Sequence, residues 1–438
     1  MPATPSNTKR RISDRATRRT NRPADRRTTR RTTRRSAAAL AVALLAALVP
    51  AQAQAAAPVP PRDRLQQDAD ALRDAGVTGV SVRLTTPRGV RTVRSGVGDP
   101  GAGQPPPVNG YLRLGSTTKT FVATVLLQLA GEGRLSLDDT VDRWLPGVVR
   151  GAGNDGRRIT LRQLLQHTSG VPDYIGDVVP DFSARGYLQN RSTTHTSAQR
   201  VAFAMTHPPA FAPGTRWEYS NTNYILLGMA IEAVTGRSWE QEVRARIIRP
   251  LRLTHTYSPG NDPALPRPHA RNHQQFEPAG PMTDTTLAYL PFDGDADGAL
   301  ISTAADTNAF FAALLGGRLL APAQLAEMRR TVAVPDEHGA VPGARHGLGL
   351  RWTPLTCGGG YWGHSGTGIG YMVWPAVMSR TDRTGATGKT SKGSTGGGLT
   401  AVTVSVHSRP GDEDTAVRQL KGVIDLVDHA LCAAPHHR

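Results

Sequence analysis

Residues 115–129 read GSTTKTFVATVLLQL, and this stretch decides how the rest of the chain is interpreted. Apolar residues recur at helical spacing from Phe121 to Leu129, which predicts an amphipathic helix packed on a core. Ser116 and Lys119 stand at the start of that helix, and a spacing of three places them on one face. A serine hydroxyl needs a neighbouring base to become a nucleophile, and a lysine can serve. By itself, however, this pattern is also typical of an ordinary helix N-cap beside a surface lysine.

Two further motifs follow in a fixed order along the chain. YSN occupies residues 219–221, and HSGT occupies residues 364–367. With these motifs the sequence resembles the family of serine penicillin-recognising hydrolases that contains class C β-lactamases and low-molecular-mass D-alanyl-D-alanine carboxypeptidases. That family carries S-x-x-K, then Y-x-N, then a K-T-G or H-x-G triplet. The resemblance spans roughly residues 65 to 432, and four more stretches match: LRQLLQHTSGVPDY at 161–174, YSNTNYILLG at 219–228, GALISTAAD at 298–306 and GLGLRW at 347–352.

The resemblance implies a role for each residue of these motifs. Ser116 is expected to be the nucleophile and Lys119 its base or proton shuttle, with Tyr219 as a second proton-transfer group. The oxyanion hole would be formed by the backbone N–H groups of Ser116 and Thr367. The other positions implied to bind substrate are Asn221, a donor to the substrate amide, His364, which replaces the usual lysine, and Ser365, Gly366 and Thr367.

His364 narrows the choice within the family, because the H-x-G form resembles soluble exocellular D-alanyl-D-alanine carboxypeptidases. Arg351 stands six residues before Cys357, where those enzymes place an arginine that holds the terminal carboxylate of the substrate. A planar guanidinium suits a carboxylate through paired hydrogen bonds. The alternative interpretation of Arg351 is an ordinary surface cation.

The implied function is therefore that of a D-alanyl-D-alanine carboxypeptidase. A cell-wall stem peptide would acylate Ser116 and release D-alanine, and β-lactam antibiotics would act as inhibitors. A β-lactamase, an esterase or a D-amino-acid amidase on the same scaffold would share this acylation chemistry and differ in pocket geometry. A protein of another class, a non-catalytic peptidoglycan binder, is disfavoured because all three motifs are intact.

The distribution of strand and helix patterns predicts a two-lobed α/β fold. Valine alternates with polar residues around the turn at Pro87-Arg88-Gly89, which predicts a β-hairpin. Strand patterns return at 347–352, 370–377 and 399–407, and a last helix is predicted from about 415 to 431. We expect an antiparallel sheet flanked by helices, with an inserted mainly helical lobe, as in β-lactamases and transpeptidases. We predict a single catalytic domain at 63–436. Its α/β lobe is expected at about 63–135 and 293–436, and its helical lobe at about 136–292.

The charge of the chain is concentrated at its beginning. The 438 residues carry a formal charge of +17, but residues 1–35 alone contribute +11. An uncharged run at 36–50 and small alternating residues follow, which is the layout of a secretory signal over residues 1–55. A short Ala/Pro linker is predicted at 56–62. We therefore expect a secreted, monomeric protein without a nucleic-acid partner or a membrane span after cleavage, although an uncleaved anchor is the alternative.

The chain has two cysteines, Cys357 and Cys432. In an exported chain an even count favours a disulfide, and the alternative is a pair of buried free thiols. In the exocellular carboxypeptidases that the chain resembles, a cysteine at the position of Cys357 pairs with one near the C-terminus.

Several other patterns were weighed and discounted. Lys389-Thr390-Ser391 resembles a K-T-G triplet but lies in a low-complexity stretch. His269 and His273 have the spacing of a metal pair, yet neighbouring prolines argue against a helix and no third ligand is apparent. Ser169 is expected to be a turn residue, and no G-x-S-x-G elbow is present. No metal and no cofactor are predicted.

Overall fold

The computed structural model describes residues 63–335, 341–379 and 398–433. The signal, the linker and Lys389-Thr390-Ser391 lie outside these residues. The helices are α1 (Arg64–Asp74), α2 (Thr118–Gly131), α3 (Val141–Trp144), α4 (Leu161–Gln166), α5 (Ile175–Val178), α6 (Ala184–Asn190), α7 (Ser197–Ala204), α8 (Thr222–Thr235), α9 (Trp239–Val243), α10 (Arg249–Leu251), α11 (Leu290–Asp293), α12 (Ala304–Leu315), α13 (Pro322–Met328) and α14 (Glu413–Cys432). The strands are β1 (Gly79–Thr86), β2 (Gly89–Gly96), β3 (Tyr111–Arg113), β4 (Arg150–Gly151), β5 (Asn154–Asp155), β6 (His273–Gln275), β7 (Met282–Asp284), β8 (Ile301–Thr303), β9 (Val332–Ala333), β10 (Arg345–His346), β11 (Arg351–Pro354), β12 (Gly360–Gly363), β13 (Gly366–Gly368), β14 (Tyr371–Met378), β15 (Thr400–Val406) and β16 (Ser408–Arg409).

Nine of these strands form one antiparallel sheet, which confirms the predicted fold class. Its order is β2-β1-β15-β14-β12-β11-β10-β9, and β13 continues the β12 side of β14. The predicted hairpin is β1 and β2, with Thr86 opposite Gly89 at the turn. β1 also pairs with β15, so that Val82 lies opposite Val404 from the other end of the chain. The first and last parts of the sequence therefore build the centre of the sheet together.

The sheet is buried on both faces because its central strands present apolar residues to both sides. On β14, Trp374 joins a cluster formed with helices α1 and α14, whereas its neighbour Val373 joins a second cluster. That second cluster contains Phe310 of α12 and Phe121 of α2, whose rings stack at 3.6 Å between centroids. The alternation follows from the period of two along a strand. Helices accordingly cover both faces of the sheet.

Helix α2 differs from the amphipathic helix predicted for it. Every residue from Thr118 to Leu127 is buried, so the helix has no solvent face over that length. Its polar residues are satisfied internally: Thr120 donates to the carbonyl of Gly349 at 2.8 Å, and Thr124 donates to the carbonyl of Thr120 at 2.7 Å. The helix packs against α8, α9 and α13.

The strand predicted at 347–352 is wrong for its first four residues. A bend at 347–350 separates β10 from β11, and the amide of Gly347 donates to the carbonyl of Leu350 at 2.7 Å. Gly349 has a φ of +68°, and a β-carbon there would lie 2.4 Å from the Ala123 side chain on α2. Only glycine fits this conformation and this close approach. The GLGL stretch is therefore a tight connection that packs on α2.

Helices α3 to α10 lie between residues 136 and 292, together with the short strands β4 to β7. The bounds of the two predicted lobes stay a prediction. Across the described ranges, no helix combines the length and the apolar character needed to cross a bilayer.

The predicted disulfide is confirmed. Cys357 lies between β11 and β12, and Cys432 is the last residue of α14; their sulfur atoms are bonded at 2.06 Å. The bond ties the loop at one end of the sheet to the last helix. Nearby, Asp428 accepts hydrogen bonds from the backbone N–H and the hydroxyl of Thr356, at 2.8 and 2.5 Å.

Removal of this disulfide should lower the stability of the fold. Closing a loop of 75 residues stabilises a protein by about 4 kcal/mol in the chain-entropy model. We expect the Cys357→Ser, Cys432→Ser double variant to lose about that much free energy of unfolding, measured by urea denaturation. Wild-type protein unfolded with and without a reductant is the control. An unfolding midpoint that is the same under both conditions would contradict the expectation.

Candidate active site

Ser116 lies in a single 3₁₀ turn, Gly115–Thr117, directly before α2. The helix itself begins at Thr118, two residues later than predicted. Gly115 has a φ of +49°, and a β-carbon there would lie 3.1 Å from the backbone nitrogen of Thr367. The glycine therefore lets the turn press against β13. This contact brings the first and third sequence motifs together at the mouth of a cavity.

The side chain of Lys119 is completely buried and is held by three acceptors. Its Nζ donates to Ser116 Oγ at 2.9 Å, to Asn221 Oδ1 at 2.8 Å and to the carbonyl of Asp297 at 2.7 Å. These are all the hydrogen bonds that an ammonium group can donate. A proton can pass between the amine and the serine hydroxyl over a single hydrogen bond. The serine and lysine predicted to act together are thus in direct contact.

The second motif supplies a hydrogen-bonding amide, Asn221, and an aromatic ring, Tyr219, next to Lys119. Asn221 accepts from Lys119 and donates through Nδ2 to Asp173 Oδ2 at 2.8 Å, so its amide is oriented from both sides. The Tyr219 ring centroid lies 5.1 Å from Lys119 Nζ. The same ring stacks on His167 at 4.2 Å between centroids. Tyr219 and Asn221 both line the cavity that contains Ser116.

The third motif lies along β13, next to the serine turn. Thr117 Oγ1 donates to the carbonyl of His364 at 2.7 Å, which fastens the start of the motif to the turn. A β-carbon on Gly366 would lie 1.8 Å from the carbonyl oxygen of Leu114 and 3.0 Å from the amide nitrogen of Ser116, so only glycine fits there. Ser116 and Thr367 both line the cavity. The oxyanion hole predicted from their two backbone amides stays a prediction.

His364 belongs to a buried cluster with His167 and His346 that the sequence did not predict. Burial holds the pKa of all three imidazoles below the usual range, that of His364 at about 3, so they are neutral at neutral pH. One nitrogen atom from each ring lies within 4.8 Å of the others. His167 Nδ1 accepts the backbone N–H of Ser220 at 3.3 Å, which leaves the hydrogen on its Nε2. A metal at this ring would need a bare Nε2 on His167, and among the described residues none of the three Nε2 atoms has a hydrogen-bond partner.

Two carboxylates near Lys119 were also missed. Asp173 holds Asn221, as described above, and burial raises its pKa. Asp297 accepts a hydrogen bond from the Tyr174 hydroxyl at 3.0 Å. Burial raises the pKa of Asp297 to about 7, although the charge of Lys119 acts in the opposite direction. The stretch at 161–174 contains Asp173, and the stretch at 298–306 directly follows Asp297, but their spacing does not show which side chain turns toward Lys119.

Arg351 lies on β11, opposite Gly363 and His346 in the register of the sheet. It is partly buried, which rules out the alternative of an ordinary surface cation. Burial lowers the pKa of its guanidinium, while the tyrosines Tyr361 and Tyr219 act in the opposite direction. No carboxylate of the described residues forms an ion pair with it. The side chain lies beside the histidine cluster and does not line the cavity at Ser116.

Ser169, His269 and His273, which the sequence analysis discounts as site residues, make contacts that support the local backbone. Ser169 donates to Asn223 Oδ1 at 2.7 Å and accepts the backbone N–H of Val171, as expected of a turn residue. His269 Nδ1 bonds the carbonyl of Pro266 at 2.8 Å, and His273 begins the strand β6, so the two do not share a helix face.

The cavity at Ser116 has a volume of about 450 Å³. One wall is apolar and comes from helices α5 and α11 and the end of β13; it is formed by Ile175, Val179, Phe182, Phe292 and Ile369. The polar lining beyond the three motifs consists of Gln274, Asp293, Asp297 and Arg409. The cavity that contains the serine therefore has both apolar and charged lining residues.

Comparison with known proteins agrees with this geometry. The family model described as Beta-lactamase matches residues 62–414. Penicillin-binding protein 4* of Bacillus subtilis (strain 168) is 31% identical over 153 residues, or 35% of this chain and 32% of that protein. The D-stereospecific amidohydrolase from Streptomyces sp. superposes with a TM-score of 0.72 and 37% identity, covering 85% of this chain and 98% of that chain. D-amino acid amidase from Ochrobactrum anthropi SV3 gives a TM-score of 0.69 and 27% identity, covering 84% and 96%.

The sheet with its helices, and a buried lysine hydrogen-bonded to a serine that lines a cavity, fit the fold and the site of the serine penicillin-recognising hydrolase superfamily. The chain belongs to the Beta-lactamase family. The matched segment spans 27% to 32% of the length of the curated relatives.

Proposed function

We propose that this protein is a serine D-alanyl-D-alanine carboxypeptidase that works through an acyl-enzyme. The observation that carries the proposal is Arg351, a partly buried guanidinium beside Tyr219 and His364 that has no carboxylate partner within the described ranges. A desolvated cation of this kind is stabilised by an anionic ligand. A free carboxylate next to the scissile bond, as in a peptide that ends in D-alanine, supplies that anion.

The reaction follows from the contacts around Ser116. As the neutral amine, Lys119 accepts the proton of the serine hydroxyl while Oγ attacks the carbonyl carbon, and the amides of Ser116 and Thr367 bind the oxyanion. The proton then passes by way of Lys119 and Tyr219 to the leaving amine as the C–N bond breaks, which leaves an ester on Ser116. Attack by water on this ester releases the acid and returns the proton to the serine. Penicillins would form the same ester by opening their ring.

A second candidate, hydrolysis of D-amino-acid amides, is favoured by the similarity to the D-amino acid amidase from Ochrobactrum anthropi SV3 over nearly its whole length. An amide has no carboxylate on its leaving side. The two candidates therefore differ in whether they need Arg351.

The Arg351→Ala variant separates these candidates. We expect the ratio of kcat/KM for a D-Ala-D-Ala peptide to kcat/KM for the matching D-alanine amide to fall roughly ten- to hundredfold, because a charge-assisted hydrogen bond contributes about 1.5 to 3 kcal/mol. Arg345→Ala is the matched control, since Arg345 lies on the adjacent strand β10 and is exposed. If Arg351→Ala leaves the ratio unchanged, the carboxypeptidase proposal fails and the amidase moves ahead.

We also propose that the protein acts outside the cytoplasm as a monomer on peptidoglycan stem peptides. The signal layout supports export, and the disulfide between Cys357 and Cys432 is suited to an oxidising compartment.

A further inference from the structure

Arg409 is a charged residue of the cavity that no sequence motif includes. It ends the short strand β16, which pairs in parallel with β6 so that Arg409 lies opposite Gln274. Both residues line the same cavity as Ser116. A cation is thus built into the wall of the pocket that leads to the serine.

The surroundings of Arg409 leave its charge without compensation. The side chain is partly buried, and burial lowers the pKa of the guanidinium with no charged neighbour to oppose it. Its Nη1 atom is buried and has no hydrogen-bond partner in the described part of the chain. Buried charges are normally paired, because removing an ion from water is unfavourable. An anion bound in the cavity would supply the missing partner.

The strand register places the backbones of Arg409 and Arg351 relative to β13. Arg351 lies opposite Gly363, and Gly363 lies opposite Ala376 of β14. At the other end, the amide of Gly370 donates to the side chain of Gln274 at 3.0 Å, and β13 ends opposite Tyr371. Five residues of β14 separate these two levels, which is about 17 Å of extended strand. The two unpaired arginines therefore lie at opposite ends of β13, on either side of the serine turn.

We propose that Arg409 binds a carboxylate on the acyl part of the substrate, the part that stays on Ser116 after the leaving group departs. This inference rests on the proposed acyl-enzyme function and names the substrate class more closely: acyl groups that carry an anion at their far end. Phe292 and Ile369 line the same cavity as Ser116 and Arg409 and offer apolar surface on which methylene groups can pack. Paired hydrogen bonds from a guanidinium would hold the carboxylate and orient the acyl chain.

The test uses activated esters that acylate serine directly. Mono-4-nitrophenyl esters of diacids with four to eight carbons are compared with the matching ω-amides, which have the same length and no charge. For at least one chain length of the diacid, we expect the ester with a free carboxylate to acylate wild-type protein about ten- to hundredfold faster than the ester with a terminal amide. Arg409→Gln should bring this ratio to about one, and Arg409→Lys should keep part of it. Arg418→Gln is the matched control, because Arg418 is exposed on α14, and it should keep the wild-type ratio.

A second measurement keeps the two proposals distinguishable. Calorimetric binding of the free diacids to Ser116→Ala, with and without Arg409→Gln, does not depend on turnover. Binding that disappears with Arg409→Gln supports the inference, and equal binding or no binding in both proteins overturns it. Equal acylation of wild type by acid and amide at every length would overturn it as well. If no ester acylates Ser116, the proposed function fails, and the calorimetry still decides the role of Arg409.

Discussion

Ser116→Ala should abolish acylation by penicillins and by ester or peptide substrates, with a loss of about 10⁵-fold or more in turnover. Without the hydroxyl there is no atom to carry the acyl group, and Lys119 has nothing to deprotonate. The buried hydrogen-bond partners of Lys119 other than Ser116 stay in place, so the fold should survive. Intact-protein mass spectrometry after incubation with benzylpenicillin measures the covalent adduct directly.

The matched control for this substitution is Ser169→Ala. Ser169 also lies in a short motif, HTSG, but its hydroxyl donates a hydrogen bond to Asn223 and contacts no lysine among its described hydrogen bonds. We expect this variant to keep the penicillin adduct, with at most a modest change in Tm. An adduct on Ser116→Ala that maps to any other residue would show that the nucleophile has been misassigned.

Lys119→Met should reduce the rate of acylation by about 10³-fold, within the range typical of a lost general base. Methionine resembles lysine in length and removes all three hydrogen bonds at once. The Ser116 hydroxyl remains, so slow acylation should persist and distinguish this variant from Ser116→Ala. Stopped-flow measurement of 4-nitrophenol release from an activated ester gives the rate.

Loss of stability is the competing explanation for a slow Lys119→Met variant, because Asn221 Oδ1 and the Asp297 carbonyl lose a buried donor. Thermal unfolding and the circular dichroism spectrum show whether the variant is folded at the assay temperature. A folded variant that acylates within tenfold of wild type would contradict the role of Lys119 and direct attention to Tyr219.

Much of the fold could be predicted because strand and helix patterns are local. The hairpin β1–β2 and the last helix follow from the alternation of valine and from helical spacing, and both lie close to their predicted bounds. The GLGL stretch could not be predicted in the same way. Its apolar residues are typical of a strand, but the close contact between Gly349 and Ala123 of α2 makes it a bend. That contact joins residues far apart in the sequence.

The same limit applies to the candidate site. The spacing of the first motif predicts that Ser116 and Lys119 lie side by side, and they are in contact. The resemblance adds Asn221 to the predicted site, and Asn221 contacts the same amine. Asp297, His346 and Arg409 belong to no motif with a known chemical role. Their place in the site depends on the direction of each side chain after folding and on the burial of its charge. The spacing of residues in the sequence does not determine either property.

The pairing of β1 with β15 has a consequence for the order in which the protein can fold. Val82 finds its strand partner, Val404, more than three hundred residues later in the chain. Such distant contacts give a high contact order, which slows folding because a long loop must close before the contact forms. The hairpin β1–β2 therefore keeps one edge unpaired until the residues of β15 have been synthesised. Completion of the central sheet is postponed to that point of synthesis.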